Sequence, residues 1–152
     1  MASESALAEL QRIIDRSART AGQSIASNFI GGGWRMTAEE FVGFWEKRPM
    51  ASISTVSAAG EVHVAPLELS LVGTELHVPT FTDSVRLRDH RANRRCGITA
   101  WDGPYRTVIV YGNASEESLS ATTTASGMVT VVVRPTRIYG IRPPAWHHAA
   151  NR

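Results

Sequence analysis

Between Ala51 and Ile141 short apolar-polar alternations follow one another at close spacing, and this pattern constrains the fold more than any other feature of the chain. Ala51, Ile53 and Thr55 alternate with Ser52, Ser54 and Ser57, which predicts a strand; Ala58-Ala59-Gly60-Glu61 turns the chain into a second strand from Val62 to Leu71. Val72-Gly73-Thr74 is a further turn, and in the third strand, Glu75 to Pro79, Leu76 and Val78 face one way. After a helical stretch come a fourth strand, Cys96 to Trp101, and a fifth, Arg106 to Gly112, joined by Asp102-Gly103-Pro104. Asn113 to Ser126 reads as a polar loop, and Met128 to Arg134 and Arg137 to Ile141 as sixth and seventh strands broken by Pro135. A single helix inserted midway cannot serve a parallel sheet. The expected fold is mainly β (α+β), a small antiparallel barrel with flanking helices.

Residues 1 to 20 have Leu7, Leu10, Ile13 and Ile14 at helical spacing, a narrow stripe suited to packing on another surface rather than to forming a core. Thr20 to Arg35 turns to Gly, Ser, Ala and Asn and reads as a linker. A helix then starts at Thr37, whose partner three residues on is Glu40, with Met36 and Phe41 as the flanking apolar pair. Pro49 ends it near Lys47 or Arg48. Pro66 falls inside the second strand, where it has no N–H to give a ladder. It marks an edge, a bulge or a place where something other than a strand lies alongside. Pro143-Pro144 ends regular structure. The organisation expected is an N-terminal helix and linker (1–35), a barrel domain (36–146) and a tail (147–152).

The positive charge is concentrated. Arg86 to Arg95 holds five arginines against Asp89 alone, a local excess of four in a chain whose formal total is +2. Thr82-Asp83-Ser84 ahead of it supplies capping residues, so a helix begins there with its N-terminal N–H groups beside Ser84 and Arg86, an arrangement suited to phosphate. The other reading is a solvated basic surface. Nucleic acid is disfavoured: the charge sits in one short helix without aromatic interleaving, and no zinc-finger, basic-zipper or RNP-like motif is present. No apolar run is long enough to cross a bilayer, Glu4 and Glu9 stand where a secretory signal carries basic residues, and Cys96 is the one cysteine. A cytoplasmic protein without membrane partners is expected.

No nucleophile elbow, no His-Glu-x-x-His and no cysteine pair appears. Cys96 reads as a small core residue. His63 and His77 lie on different strands without metal-ligand spacing, so no metal site is expected, while a single axial histidine to haem would leave no spacing signature. Trp101 and Tyr105 flank a turn and could cover a planar cofactor or serve as core or dimer contacts.

Several stretches, in order, resemble the pyridoxamine 5'-phosphate oxidase-like split β-barrel proteins that bind FMN or the deazaflavin coenzyme F420. Arg48 to Val56 followed by Gly60 to Pro66 is similar to the opening hairpin of that family. Ser84-Val85-Arg86-Leu87-Arg88-Asp89-His90-Arg91-Ala92-Asn93-Arg94-Arg95 is similar to its phosphate helix, Ser-x-Lys-x-Arg-Asn-Leu-x-x-Asn-Pro-Arg. Pro104 to Gly112 and Val131 to Gly140 resemble its closing strands. The chain departs from the pattern in Arg86 for lysine, Asp89-His90 for Asn-Leu, and Arg94 for proline.

The resemblance implies a homodimeric flavin- or deazaflavin-dependent oxidoreductase that moves a hydride to or from a small organic substrate. The phosphate would meet Ser84, Arg86 and Arg88, with Thr82 just ahead of them, and the ring system would lie along Ala65, Pro66 and Leu67. Trp101, Tyr105 or the tail would close the groove from the partner. No catalytic residue follows from the resemblance; His63 and Tyr105 are the candidates carried forward. The alternatives are a haem- or flavin-binding protein without substrate turnover, and a split-barrel binding module that holds no cofactor.

Overall fold

The structure is a computed structural model that describes residues 2–120 and 125–150, with side chains as far as His147. Its centre is one seven-stranded antiparallel sheet, and the connection between two of its strands dictates the shape. In chain order the strands are β1 (Met50–Val56), β2 (Val62–Leu67), β3 (Ser70–Val72), β4 (Glu75–Phe81), β5 (Arg95–Trp101), β6 (Thr107–Ala114) and β7 (Met128–Ile141). They lie side by side as β2-β1-β5-β6-β7-β4-β3. The two edges of the sheet, β2 and β3, are therefore neighbours in sequence, separated only by Glu68 and Leu69. Three virtual bonds of 3.8 Å reach no further than about 11 Å. A flat sheet of seven strands would hold its edges much further apart, so this one has to curl until they nearly meet.

This junction corrects the sequence reading, which ran one strand from Val62 to Leu71. Leu69 turns inward and is buried, and the break it makes sends Leu67 to pair with Ala51 and Ser70 to pair with His77. Pro66 sits on the edge strand, opposite Ser52, as its missing N–H requires. A second correction lies in β7, which runs unbroken through Pro135 where two strands were expected. It pairs with β4 only as far as Val133, so beyond that point one side of the strand faces no ladder. On its other side the register slips between Tyr111 and Gly112, leaving Thr136 as the extra residue of a bulge. The Thr136 hydroxyl donates to the Tyr111 carbonyl at 3.1 Å.

The inward-facing residues form the core: Ile53 from β1, Leu76 and Val78 from β4, Ile98 and Ala100 from β5, Val108 and Val110 from β6, and Val131 and Val133 from β7. Cys96 joins them as expected. Helix α1 (Glu4–Arg19), capped by Ser3, covers part of this core. Its Leu10, Ile13 and Ile14 belong to the core itself, contrary to the expectation from their narrow stripe. Two polar contacts seat it: buried Ser17 accepts from Ile138 N at 3.0 Å, and the Gln11 side-chain oxygen accepts from Ala38 N at 2.9 Å. The expected linker contains a short helix, α2 (Gln23–Phe29), between Gly22 and the glycine triplet. Helix α3 (Ala38–Glu46) carries the predicted capping box, with Glu40 N donating to Thr37 Oγ1 and Thr37 N to Glu40 Oε2. Met36 and Phe41 are both buried beside it, and Lys47 is the C-cap, as Pro49 predicts.

Helix α4 (Val85–Ala92) carries the chain from β4 to β5, three places away in the sheet, and packs on β1 and β4. Where a loop was expected, Asn113 and Ala114 lengthen β6 and Ser115 caps a single turn, α5 (Glu116–Leu119). Residues 121–124 of that stretch lie outside the described residues. The chain also resumes regular structure after Pro143-Pro144 in α6 (Ala145–Ala150), against the expectation of a tail. No helix among the described residues is long and apolar enough to cross a membrane.

Two glycines test the packing. A Cβ built at Gly112 would lie 2.7 Å from both Arg134 O and Val133 Cγ1, whereas one at Gly43 meets nothing within 4 Å. In urea denaturation Gly112→Ala should cost about 1–3 kcal/mol by overpacking. Gly43→Ala, in the middle of α3, should instead raise stability by about 0.5–1 kcal/mol.

Candidate functional site

Helix α4 begins as its sequence demands. Ser84 is extended and accepts the Leu87 N–H at 3.2 Å, which leaves its own hydroxyl hydrogen unspent among the described residues. Leu87 is buried and roots the helix in the core. Arg86 folds back along β4, donating from Nη2 to Pro79 O at 3.0 Å and from Nε to Thr80 Oγ1 at 3.5 Å. Burial lowers the guanidinium below its ordinary value, and it remains a cation at neutral pH. Nη1 has no partner among the described residues, so the fork is aimed by the backbone and retains donors for a ligand.

The third residue of this group is His63, on β2. Its Nδ1 lies 2.7 Å from Asp89 Oδ2, and the same carboxylate oxygen accepts from Thr55 Oγ1 at 2.7 Å. Asp89 is 2% exposed, so α4, β1 and β2 meet on one buried carboxylate. Burial pushes that carboxyl up, but hydrogen bonds from His63 and Thr55, together with the charges of His63 and Arg88, outweigh it. The net result is a carboxyl held below the ordinary aspartate value. Nε2 of His63 lies 4.0 Å from Glu61 Oε2, a loose pair at the surface.

These residues enclose a cavity of about 260 Å³ lined by Thr55, His63, Ala65, Ser84, Val85 and Arg86, with Ile53 and Val64 completing it. The structure thus brings together Ser84, Arg86, Ala65 and His63 from the sequence candidates. Arg88 is exposed on the helix, and Thr82 is tied to Gly127, donating from both its N–H and its hydroxyl to that carbonyl. Pro66 and Leu67 continue β2 away from the cavity. Trp101 and Tyr105 lie elsewhere. Trp101 pairs with Met50 at the far end of β5, and Tyr105 packs edge-on against Trp34 and His147, with ring centroids 6.1 and 4.8 Å away. Asp89 and Thr55 are the residues that sequence reasoning missed. Their signal was present in Asp89 standing where the resembled pattern has asparagine.

His90, beside Asp89, occupies a core position. It is fully buried, and neither ring nitrogen has a hydrogen-bond partner among the described residues. Burial, reinforced by the Arg86 charge and only partly opposed by Asp89, pushes it down to about 4, so the ring is neutral at pH 7. Cys96, also buried, has its thiol pushed up to about 12 and is no nucleophile. Among the described residues no group of three or more His, Cys, Asp or Glu is arranged to hold a metal ion.

This architecture has counterparts of known structure. One is "F420 Reductase" (TM-score 0.55, 21% identity, 63% of this chain and 93% of that one). Another is a pyridoxamine 5'-phosphate oxidase-like protein from Listeria innocua (TM-score 0.57, 15% identity, 67% and 95%). The chain adopts the pyridoxamine 5'-phosphate oxidase-like split-barrel fold. HutZ, the heme storage protein of Vibrio cholerae, shares it (TM-score 0.54, 14% identity, 68% and 93%). No family model matches the sequence, and no curated protein matches it either. At these identities the likeness is one of fold.

The two buried departures from the resembled pattern should be separable by denaturation. His90 has a folded value of about 4 against an ordinary 6.5, so the unfolded chain takes up a proton first. Its contribution is present above pH 6.5 and is lost as pH falls toward 4. His90→Leu should remove that loss and, by eliminating two unsatisfied nitrogens, raise stability at pH 7 by about 1–3 kcal/mol. The Asp89 contribution has the same sign but a lower window, from its unfolded value of 3.8 downward. Asp89→Ala should cost about 1–3 kcal/mol at pH 7 by stranding Thr55 and His63.

Proposed function

We propose that the protein is a flavin- or deazaflavin-dependent oxidoreductase that transfers a hydride to or from a small organic substrate, with FMN or coenzyme F420 held between two copies of the chain. The observation that carries this reading is the aimed Arg86 fork beside Ser84, whose hydroxyl caps α4 and still has its hydrogen to give among the described residues, in a cavity at the N-terminus of that helix. Those donors fit a phosphate monoester. When bound, the cofactor would supply the hydride chemistry, and the protein's part is to hold and orient.

The cavity of about 260 Å³ takes the phosphate end and little more, since pockets that hold a whole cofactor run to roughly 300–1,000 Å³. The remainder would come from a second copy. An apolar groove of about 530 Å³ crosses the outer face of β1, β5 and β6, with small residues Ser54, Gly97 and Thr99 on its floor and Val56, Ile109 and Tyr111 around them. Val62 and Val64 on the adjoining edge strand are more than 60% exposed. A patch of this kind is suited to burial against its own copy. Deazaflavin is favoured over FMN because Arg91, Arg94 and Arg95 line an open groove with Asn93 and Asn113 at the other end of α4, where an acidic cofactor tail could lie once it displaces the exposed Glu116 from Arg94.

Titration of the purified protein with FMN, F420 and haem, followed by fluorescence and absorbance, tests the reading. Binding of FMN or F420 supports it, while a Soret band with no flavin binding replaces it with haem binding without turnover. Arg86→Ala should weaken cofactor affinity by about 1.5–3 kcal/mol, the range for a charge-assisted hydrogen bond; an unchanged Kd places the phosphate elsewhere. In sedimentation the chain should run at twice its 16.6 kDa, and Ile109→Arg should return it to the monomer and abolish cofactor binding.

A further inference from the structure

The Asp89–His63 pair is not needed to hold a phosphate, and its geometry gives the cavity a second property. Asp89 in its ionised form can only accept hydrogen bonds, and its Oδ2 already receives the Thr55 hydroxyl. At 2.7 Å, Nδ1 of His63 must therefore be the nitrogen that carries a hydrogen. In a neutral imidazole the proton on Nδ1 leaves a lone pair on Nε2, the one ring nitrogen still available to a ligand. A lone pair repels an anion. Protonation turns the same atom into a charged donor, and Asp89 stabilises the imidazolium that results. The His63 side chain is 41% exposed and lines the same cavity as Arg86 and Ser84, so both water and a ligand can reach it.

We infer that this cavity is a proton-linked anion seat, in which a phosphate or sulfate group is held by Arg86, Ser84 and the protonated His63, the imidazole being positioned by Asp89. This rests on reading the cavity as a phosphate seat and adds its regulation by pH. Affinity rises as pH falls through the titration of His63, and by reciprocity the bound anion draws a proton onto the ring. The charges around the ring are mixed, Asp89 and Glu61 being the negative ones. Arg86 and Arg88 from α4 favour the anion, His90 on the same helix is neutral, and Thr55 from β1 carries no charge. Glu61, 4.0 Å from Nε2, is the carboxylate among the described residues that competes for the new N–H, and it is mostly exposed and readily displaced. Helix α4 therefore uses the residue that departs from the resembled pattern, Asp89, to make the site responsive to protons.

Sulfate is the appropriate probe, because it keeps both charges across the working range and leaves only the protein to titrate. Calorimetric titration at constant ionic strength should give sulfate affinity about tenfold higher at pH 5.5 than at pH 8.5, equivalent to about 1.4 kcal/mol. His63→Gln should bring the pH 5.5 affinity down to the pH 8.5 value, while Arg86→Ala should weaken binding at both pH values and keep the ratio. In the unaltered protein, NMR of the His63 ring at a fixed pH should show the protonated fraction increasing on saturation with sulfate, the same linkage read from the other side. No sulfate binding, an equal affinity at the two pH values, a pH ratio retained in His63→Gln, or a His63 titration indifferent to sulfate would each overturn the inference. Parallel titration with FMN and F420 keeps the two readings apart. Proton-linked sulfate binding without cofactor binding removes the oxidoreductase and leaves the seat; cofactor binding with pH-independent sulfate does the reverse.

Discussion

The arrangement of the site depends on one buried carboxylate. Asp89 is nearly inaccessible to water and touches two strands from a helix, accepting from Thr55 on β1 and His63 on β2. A charge removed from water at that depth is tolerated only when its oxygens are well supplied with donors. The requirement works in both directions. The carboxylate must have Thr55 and His63, and in obtaining them it fixes where α4 lies against the edge of the sheet. The start of that helix carries Ser84 and Arg86, so the aim of these two side chains is set from its other end. Arg86, meanwhile, is anchored to Pro79 and Thr80 on β4. The helix is thus tied at both sides of the barrel mouth, and the cavity is the space between the ties.

Much of this was legible in the sequence because it follows from local rules. Strand positions came from period two, the start of α3 from Thr37 and Glu40, and the cap of α4 from Ser84, all of which depend on neighbours a few residues away. The misreadings share a different cause. Nothing local distinguishes a strand through Pro135 from two strands meeting there, because the proline is tolerated only when one side of β7 has lost its neighbour, and that is decided by where β4 ends. Leu69 likewise breaks a strand because the barrel interior has room for it. The stretch 20–35 holds glycines and serines suited to a linker, yet a short helix fits between them, and Met36 N then bonds to Gly140 O alongside β7.

The site was legible in part for the same reason. Ser84 and Arg86 are two residues apart and belong to one capped helix, so a motif captures them. His63 and Asp89 are 26 residues apart and meet only because β2 folds back beside α4. Trp101 and Tyr105 illustrate the converse, being close to each other in sequence and distant from the cavity within one chain. Their exposure, 46% and 49%, leaves them available at the surface, where a second subunit would have to bring them into play.

The near-meeting of β2 and β3 has a consequence for how the molecule survives in a crowded solution. A barrel that stops short of closure leaves a free strand edge, and free edges recruit other chains into continuous sheets. Here the exposed edge carries Val62 and Val64, side chains with strong strand propensity. Pro66 interrupts it. A residue with no N–H to offer on the open side of β2 breaks the template for runaway edge pairing. Its replacement by an ordinary strand residue would expose the protein to aggregation before it touched any chemistry.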